Sequence, residues 1–494
     1  MCRRRTSSFD HSPWSDVLKT LQHYLDGRFV APTGEADRFP VINPATEQPV
    51  AQILMGSGAD AGRSVEAARR AFPGWAAVPL AGRLALLERL LAAYERRHAQ
   101  MAEAITTEMG APRELSSGSQ AAAGSGHLRE TIAAARALDR EVPLRGGAIV
   151  VREPVGVCGL ITPWNWPMNQ VCAKVAPALA AGCTVVLKPS EQAPLSAQLF
   201  AELLHETGFP AGVFNMVHGT GPTVGHALVA HPDLDMVSFT GSTRAGISVA
   251  KDAADTVKRV AQELGGKSPN IVFADAALEA AVRRGVAHCF NNSGQSCNAP
   301  TRMIVEAAVY DRALEIAAAA GAAVRVDEPT KPGDHLGPVA SRMQFEKIQH
   351  CIERGIAEGA RLVLGGPGRP AGFEVGFYVR PTIFADVLNT MSLAREEIFG
   401  PVLSILRFRT LEEAVQIAND TPYGLAAYVQ TADLDKARSV ARRLRAGSIY
   451  LNGSPQDYDA PFGGYKQSGN GREGGAYGLA EFLELKVING FYPG

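Results

Sequence analysis

One cysteine of this sequence stands in a setting that suits nucleophilic chemistry. Cys297 ends a polar run, residues 291–297, that holds two asparagines, two serines, a glutamine and a glycine. Structural cysteines usually lie in apolar stretches, as Cys158, Cys172 and Cys183 do here, because a thiol packs like a small hydrophobe. A polar, glycine-bearing loop instead allows a thiol to face a cavity and to react as a thiolate. We therefore predict that Cys297 is a nucleophile, with a packing thiol as the alternative.

Two other segments carry groups that assist a nucleophile. Glu263 precedes two glycines, where its carboxylate either serves as a general base or faces solvent at a helix end or turn. Asn165 lies among two tryptophans and two prolines, just after the apolar run 155–161. Open α/β sheets bind ligands where such strands end, so this segment either lines a ligand cleft or forms a packed aromatic corner. Residue types alone leave both alternatives open.

The hydrophobic pattern indicates the elements that must position these groups. Apolar runs alternate with helical stretches in two successive series. The expected strands are 155–161, 184–187, 213–217, 236–239 and 270–273 in the first series, and 362–364, 402–408, 425–429 and 448–451 in the second. Strands that alternate with helices form parallel sheets covered on both faces. The predicted fold class is therefore α/β with two doubly wound domains, followed by an apolar strand within 484–492.

Length, charge and cysteine content narrow the class of protein. A chain of 494 residues is expected to form two or three domains. Its 49 Lys and Arg balance 50 Asp and Glu, so nothing favours nucleic acid or a membrane as a partner. No apolar stretch reaches the roughly 20 residues of a spanning helix, and residues 1–20 are expected to be a flexible leader. Seven scattered cysteines indicate reduced thiols and a cytoplasmic location.

Familiar metal and phosphate motifs are missing from the sequence. There is no H-E-x-x-H and no cysteine or histidine cluster at zinc spacing, so no metal site is predicted. Gly219, Gly221 and Gly225 miss the dinucleotide-binding spacing by one residue. The run GKS at 266–268 is similar to the end of a phosphate-binding loop, but Ala261 stands where that loop needs glycine. Kinase and metallohydrolase functions are therefore not favoured.

Seven short motifs, taken together, resemble the aldehyde dehydrogenase superfamily. The resemblance extends from Tyr24 to the C-terminus and follows the family's order. The motifs are PWNWP (163–167), KPSE (188–191), FTGST (239–243), ELGGKSPN (263–270), GQSC (294–297), EEIFGPV (396–402) and PFGGYKQSGNGRE (461–473). One such motif alone is a weak signal, but seven in order over about 300 residues are not coincidental.

The resemblance implies a catalytic role for each of the three residues introduced above. Cys297 would be the nucleophile that makes the aldehyde carbon tetrahedral, so that a hydride can leave. The side-chain amide of Asn165 and the backbone N–H of Cys297 would form the oxyanion hole. Glu263 would activate the water that hydrolyses the thioester. Relatives that transfer the acyl group to coenzyme A typically lack this glutamate, so Glu263 favours a free acid as product.

The same resemblance implies a nicotinamide cofactor and places its binding residues. Lys188 and Glu191 match positions that hold the adenosine ribose. Gly241 and Ser242 match the turn and helix start below the pyrophosphate. Glu191 favours NAD over NADP because a carboxylate repels a 2′-phosphate, although Lys188 offsets that repulsion and NADP stays the alternative. The other cofactor-binding positions are Ile161, Trp164, Gly221, Gly225, Phe239, Glu397 at the nicotinamide ribose and Phe399 at the ring.

The expected substrate tunnel indicates little about the aldehyde. Two of its aromatic side chains suit an apolar or aromatic aldehyde. Asn291 and Ala173 stand where many relatives have aromatic residues, which indicates a wider or more polar tunnel. No arginine is among the tunnel residues, which disfavours a short semialdehyde acid. The expected tunnel residues are Trp166, Gln170, Asn291, Ser296, Asn298 and Phe462.

The resemblance also divides the chain and predicts self-association. Residues 21–130 and 154–259 would form the NAD-binding domain, 260–470 the catalytic domain, and 131–153 with 471–494 the oligomerisation arm of a homodimer or homotetramer. The leading prediction is a NAD(P)-dependent aldehyde dehydrogenase that hydrolyses its thioester. The alternatives are a semialdehyde or betaine-aldehyde type enzyme, a catalytically idle structural or binding member, and a cysteine hydrolase without redox chemistry.

Overall fold

The structure is a computed structural model that describes residues 18–492. Its strands are β1 (Lys19–Leu21), β2 (His23–Leu25), β3 (Arg28–Val30), β4 (Arg38–Asn43), β5 (Gln48–Leu54), β6 (Glu141–Pro143), β7 (Ile149–Pro154), β8 (Val157–Ile161), β9 (Thr184–Lys188), β10 (Phe214–Met216), β11 (Met236–Thr240), β12 (Arg259–Glu263), β13 (Pro269–Val272), β14 (Arg302–Glu306), β15 (Arg361–Leu364), β16 (Thr382–Ala385), β17 (Val402–Phe408), β18 (Ala426–Gln430), β19 (Ser448–Leu451) and β20 (Leu483–Ile488). Its α-helices are α1 (Gly58–Ala76), α2 (Leu80–Arg96), α3 (His98–Met109), α4 (Arg113–Leu115), α5 (Ala122–Ala137), α6 (Pro167–Ala181), α7 (Leu195–Thr207), α8 (His226–Ala230), α9 (Thr243–Ala253), α10 (Leu278–Phe290), α11 (Tyr310–Ala322), α12 (Arg342–Ala357), α13 (Ser392–Arg395), α14 (Leu411–Asn419), α15 (Leu434–Arg443) and α16 (Gly475–Glu481).

The first of two seven-stranded sheets has the order β12-β11-β8-β9-β10-β2-β3. Its strands from β12 to β10 are parallel. Neighbouring residues of β9, Val185 and Val186, pack into different hydrophobic clusters because successive strand side chains point to opposite faces. Helices cover both faces, as predicted for a doubly wound domain. The antiparallel pair β2 and β3 turns at Asp26 and Gly27, whose φ of 51° and 78° suits such a hairpin.

The second seven-stranded sheet has the order β15-β16-β17-β14-β13-β18-β19 and is parallel except for β15. The predicted second α/β series is thereby confirmed. Helix α10 leads into the segment that carries Cys297, and β14 follows that segment. Strand β12 ends at Glu263 and belongs to the first sheet, so the predicted boundary at residue 260 falls inside a strand.

Two three-stranded sheets complete the described part of the chain. One pairs β20 with β7 and β7 with β6, all antiparallel, and β20 confirms the predicted C-terminal strand. The other has the order β1-β5-β4. Residues 1–17 of the expected leader lie outside the described residues, and the expectation is wrong for Lys19 and Thr20, because β1 pairs with β5. The hairpin of β4 and β5 was not predicted, because a register shift at Val41 and Ile42 breaks its two-residue alternation.

Candidate active site

The segment that presents Cys297 is held in an unusual backbone conformation. Asn292, Ser293 and Gly294 have φ of 53°, 55° and 73°, in the left-handed region that glycine and asparagine tolerate best. A Cβ on Gly294 would overlap the carbonyl of Gly400, so only glycine fits there. Three consecutive left-handed residues turn the chain sharply at the end of α10, and this turn places the cysteine at the edge of the second sheet.

The thiol of Cys297 is half-buried and lies among carboxyl groups. Burial, and then the charges of Glu397, Glu263 and Glu473, raise the pKa of the thiol, while the backbone N–H of Asn298 lowers it. A thiol with a raised pKa is mostly protonated at neutral pH. The carboxylates that raise this pKa are also the groups available to accept the proton when the thiol ionises.

Glu263 ends strand β12 and is only 4% exposed. Neither carboxyl oxygen has a hydrogen-bond partner among residues 18–492. Burial raises the pKa of Glu263 well above its ordinary value; Glu473 adds to the shift, and Lys174 and Arg472 oppose it. Buried Lys174 donates to Glu473. The alternative of a solvent-facing carboxylate is therefore wrong, and the raised pKa suits a base that works near neutral pH.

Asn165 lies in the loop between strand β8 and helix α6, and this loop contacts the segment that carries Cys297. Its side chain is 4% exposed, and Nδ2 donates to the carbonyl of Gln295 over 3.1 Å. The neighbouring Trp166 donates from Nε1 to Oγ of Ser296 over 2.9 Å. One N–H of the Asn165 amide is thus fixed by the protein, and the second is left for a ligand.

The predicted cofactor residues of the first sheet form one surface at its carboxyl edge. Lys188 ends β9 and donates from Nζ to the carboxylate of Glu191 over 3.2 Å. A Cβ on Gly225 would lie 3.8 Å from Lys188 Cδ and 4.0 Å from Ile161 Cδ1. Three residues that the sequence places far apart, Ile161, Lys188 and Gly225, therefore meet here. Gly221 and Gly225 bound a short π-helix, and such helices often occur at functional sites.

The end of β11 leads directly into helix α9. Ser242 caps this helix, and its Oγ accepts from the backbone N–H of Ala245 over 3.3 Å. A Cβ on Gly241 would lie 2.5 Å from the ring of Phe239, so the turn needs glycine. The first N–H groups of a helix carry a partial positive charge. This edge of the sheet can therefore hold an anion such as a pyrophosphate.

The second sheet contributes the remaining predicted cofactor residues. Oε1 of Glu397 accepts from the backbone N–H of Gly266 over 3.0 Å, and burial raises the pKa of this carboxyl. The ring of Phe399 meets that of Trp164 edge to face, with centroids 5.5 Å apart. Phe399 itself has a φ of 62°. Residues of both sheets thus face each other across one cleft.

A cavity of about 900 Å³ adjoins the nucleophile segment. Its wall includes Asn291 and Asn298 and two tyrosines, Tyr428 and Tyr450, whose rings stack with centroids 5.0 Å apart. His288 meets Tyr428 edge to face, and burial lowers the pKa of that histidine, so it is neutral at pH 7. Four of the expected tunnel residues are not part of this wall, namely Trp166, Gln170, Ser296 and Phe462.

Comparison with known proteins decides the family. Residues 29–488 match the model of the aldehyde dehydrogenase family. This chain belongs to that family. It is 54% identical over 471 residues to 3-succinoylsemialdehyde-pyridine dehydrogenase of a Pseudomonas species, covering 95% of this chain and 98% of that protein.

Solved structures of family members have the same fold as this dehydrogenase. A variant of aldehyde dehydrogenase C from Pseudomonas syringae, in complex with NAD+ and octanal, is 51% identical with a TM-score of 0.95 over 96% of this chain and 97% of that one. Betaine aldehyde dehydrogenase from Staphylococcus aureus, in complex with NAD+, is 34% identical with a TM-score of 0.92 over 96% and 95%. In residues 18–492, no helix of the dehydrogenase has the length and hydropathy needed to cross a membrane.

Sequence reasoning about this dehydrogenase missed several groups around the site. Asn292 is joined to Asn165, and Gln120 of a distant helix is joined to Asn292. The stacked tyrosines of the cavity were missed as well. A signal for Asn292 exists, because an asparagine two residues before glycine in a polar loop is typical of left-handed backbone. For Gln120 the sequence holds no signal, because only the fold brings residues 172 positions apart into contact.

Proposed function

We propose that this dehydrogenase oxidises a bulky, uncharged aldehyde to the free carboxylic acid with NAD. The main support for the proposal is that three functional groups lie together in the fold. A half-buried thiol, a buried carboxyl without partners in the described residues and a buried amide come from three separate elements, and they belong to Cys297, Glu263 and Asn165. Membership of the aldehyde dehydrogenase family supports the class of reaction. The role of each residue is part of the proposal.

Cys297 makes the covalent bond to the aldehyde carbon. Its thiol loses a proton, the sulfur attacks the carbonyl carbon, and the oxygen takes up the negative charge. Asn165 donates its free amide N–H to this oxygen, together with the backbone N–H of Cys297. One such donor typically lowers the barrier by about 2.7–4 kcal/mol. Loss of hydride from the tetrahedral carbon leaves a thioester on the sulfur.

Glu263 then acts as the base for hydrolysis. Its carboxylate takes a proton from a water molecule, and the hydroxide attacks the thioester carbon. The acid leaves, and Cys297 regains a proton. The burial of Glu263, which raises its pKa, gives the carboxylate more affinity for a proton than an exposed glutamate has. A free acid is therefore the proposed product.

The donors and acceptors of the cleft fit NAD. Glu191 and Glu397 offer carboxylates to ribose hydroxyls, and the start of α9 at Ser242 offers N–H groups to a pyrophosphate. When bound, NAD supplies the hydride acceptor. The ammonium of Lys188 already binds Glu191, which leaves it less able to hold a 2′-phosphate. The NAD+ complexes of the Pseudomonas syringae and Staphylococcus aureus enzymes support this choice over NADP.

The cavity beside the nucleophile supports an uncharged aldehyde with a ring or long chain. Its wall includes the neutral amides of Asn291 and Asn298 and the ring of Tyr428, and its charged residues balance, with Arg284 and Arg325 against Glu114 and Asp334. One Pseudomonas relative is a 3-succinoylsemialdehyde-pyridine dehydrogenase and another forms a complex with octanal, and a ring-bearing or long-chain aldehyde of this kind suits such a space. A second candidate is a semialdehyde acid, which is favoured by Arg284 in the cavity wall. Arg284 is partly occupied, however, because its Nη2 donates to Gln430 over 2.8 Å.

The proposed quaternary structure is a dimer or a dimer of dimers joined through the arm of β6, β7 and β20. Strand β20 lies at a sheet edge and exposes Leu485 and Val487, and apolar strand edges favour pairing with another chain. The first sheet would bind the cofactor and the second would carry the nucleophile. The six cysteines described are all free, which is typical of a reducing compartment such as the cytoplasm.

The proposed reaction is tested with purified protein, NAD or NADP, and a panel of aldehydes. The panel includes octanal, pyridine carboxaldehyde, succinic semialdehyde and betaine aldehyde, and the readout is reduced nicotinamide absorbance. We expect the highest kcat/KM with NAD and the ring or long-chain aldehydes. No signal with any aldehyde and either cofactor contradicts the enzyme assignment. The highest kcat/KM with succinic semialdehyde supports the second candidate.

Light scattering tests the proposed assembly. The wild-type protein is expected to be a dimer or tetramer, and the double variant Leu485→Asp, Val487→Asp is expected to be a monomer. Val375→Asp, at an exposed apolar residue of the loop before β16, is the matched control and leaves the mass unchanged. A monomeric wild-type protein contradicts the proposal.

A further inference from the structure

Asn292 occupies the centre of a hydrogen-bond network behind the nucleophile. Its Nδ2 donates to the backbone carbonyl of Asn165 over 2.9 Å and to that of Gln295 over 3.2 Å. The same Gln295 carbonyl accepts the side-chain Nδ2 of Asn165 over 3.1 Å. Asn292 therefore contacts both the backbone of Asn165 and the acceptor that orients its side chain.

The hydrogen-bond partners of Asn292 determine which end of its side-chain amide is the donor and which is the acceptor. Both groups that face Nδ2 are carbonyl oxygens, which only accept hydrogen bonds. Oδ1 must then face the remaining partner, and it accepts from Nε2 of Gln120 over 3.0 Å. Asn292 and Gln120 are 2% and 0% exposed, so solvent does not compete for these bonds. The network consequently has one arrangement of donors and acceptors.

Gln120 reaches this position from a π-helix, Ser116–Ala121, that interrupts the path from α4 to α5. An i to i+5 turn shifts the side chains that follow it relative to a regular α-helix. On the other side, Asn292 needs a left-handed φ of 53° to direct its amide toward Asn165. The hydrogen bond between Gln120 and Asn292 thus joins two residues that both have an uncommon backbone conformation. Such features persist where the surrounding structure maintains them, and they concentrate at functional sites.

We propose that Asn292, held by Gln120, is a positioning residue that orients Asn165 as the oxyanion donor. This inference rests on the proposed function, in which Asn165 stabilises the oxyanion. Asn292 is only 2% exposed, and its side-chain amide is committed to Gln120, Asn165 and Gln295, so it acts through Asn165. Asn292 fixes the backbone of Asn165 directly. It also holds the Gln295 carbonyl, which accepts one N–H of the Asn165 side-chain amide. The second N–H of that amide therefore points in a constant direction. An oxyanion donor contributes fully only when its direction is set before the reaction.

A double-mutant cycle tests the positioning role. Asn292→Gly keeps the left-handed conformation and removes both donated bonds without adding charge. The rate of the first-turnover burst of reduced cofactor is measured in the wild type, in each single variant and in the Asn165→Ala, Asn292→Gly double variant. We expect a loss of about 10²–10³-fold for Asn165→Ala and about tenfold for Asn292→Gly, with KM changed less than about twofold. In the Asn165→Ala background, Asn292→Gly should cost less than about twofold.

Gln120→Met provides a second route that leaves the nucleophile segment intact. It removes only the bond to Oδ1 of Asn292 and should slow the burst by about threefold in the wild type and not at all in Asn165→Ala. Gln52→Met is the matched control, because Gln52 is also buried and donates one bond, to Thr20 over 2.7 Å. This control should leave the burst unchanged. If Asn292→Gly lowers the Tm strongly, the Gln120→Met cycle decides.

Two results overturn the inference and are distinguishable. Losses that multiply in the double variants show that Asn292 acts independently of Asn165, while the proposed function stands. A wild-type burst rate in the single variant Asn165→Ala instead refutes the role of Asn165 itself, and the positioning role falls with it. Non-multiplying losses at both Asn292 and Gln120 support the inference.

Discussion

The reaction centre and the adjoining cavity of this dehydrogenase are built in opposite ways. In the proposed centre, Asn165 and Asn292 are buried, Asn292 donates to the Asn165 backbone over 2.9 Å, and Asn165 donates to the Gln295 carbonyl over 3.1 Å. In the cavity wall, Asn291 and Asn298 are partly exposed, and Asn298 accepts from Tyr428 through its backbone carbonyl, which leaves its side chain out of that bond. The bonded centre holds one geometry for the chemistry, whereas the side-chain amides of Asn291 and Asn298 can reorient toward the substrate. Changes in the centre should therefore affect every aldehyde, and changes in the wall should alter the choice among aldehydes.

The largest effect is expected from Cys297→Ala. Without the sulfur no covalent bond to the aldehyde forms, so oxidation of every aldehyde should fall by at least about 10⁴-fold. The measurement is the steady-state formation of reduced cofactor at saturating NAD. Cys351→Ala, at a buried cysteine of α12, is the control and should keep nearly full activity. Residual turnover of Cys297→Ala within about tenfold of the wild type would show that another group is the nucleophile.

Glu263→Gln should separate the two halves of the reaction. The first-turnover burst of reduced cofactor is expected to remain, and steady-state turnover should fall by about 10²–10³-fold because the base for hydrolysis is lost. Rapid-mixing absorbance measures both phases. The Tm should be unchanged or higher, because the variant removes a buried carboxyl that has no partner in the described residues. An unchanged steady state contradicts the role of Glu263 as base.

The dependence of the reaction rate on pH tests the role of the Glu263 carboxyl independently. Burial raises the pKa of Glu263 well above 4.5, and only the ionised form accepts a proton. Hydrolysis should therefore increase with pH through the raised pKa and fall about tenfold per pH unit below it. The raised pKa of Cys297 acts in the same direction on the burst. Burst and steady-state rates from pH 5 to 10 provide the measurement. A hydrolysis rate that decreases with rising pH contradicts the assignment of Glu263, and a burst rate that decreases contradicts that of Cys297.

The strand pattern was sufficient to predict the α/β fold, and the motif order was sufficient to select Cys297, Glu263 and Asn165, whose catalytic roles stay predictions. Thr184–Lys188 is buried throughout, and Val402–Phe408 is buried at every residue except Arg407, so their largely apolar sequences could be recognised as strands. Strand β12 was missed because its end, Gln262 and Glu263, is polar and reads as a turn. Gln262 is tolerated because its side-chain amide donates to the carbonyl of Gly246, and Glu263 lies on the side of the proposed reaction centre.

The cavity and the positioning network could not be predicted from the sequence, for a different physical reason. Tyr428 and Tyr450 become neighbours only when β18 pairs with β19, and Gln120 reaches Asn292 across 172 residues of chain. Such contacts depend on the packed fold and leave no local pattern of spacing. Trp166 and Phe462 show the converse, because the family resemblance predicted a place in the tunnel for both but neither lines the cavity.

Cofactor choice is expected to change moderately in Glu191→Gln. The carboxylate of Glu191 repels a 2′-phosphate and also engages Lys188, so its neutralisation frees the ammonium for that phosphate. The ratio of kcat/KM for NADP to that for NAD should rise about tenfold, or about 1.4 kcal/mol. The rate of thioester hydrolysis should stay constant, because the change lies outside the reaction centre. A ratio that stays constant or falls shows that another residue sets the preference.

The smallest effect is expected from Asn291→Phe in the cavity wall. The larger side chain narrows the space beside Cys297 and should reduce kcat/KM for a ring-bearing aldehyde by about fivefold, chiefly through KM. A small aldehyde such as acetaldehyde should lose less than about twofold, because it does not reach the wall. Parallel kinetics with both substrates provide the measurement. An equal loss for both aldehydes would mean that Asn291 supports the bonded centre. Asn291 would then belong to the fixed centre and not to the adaptable wall.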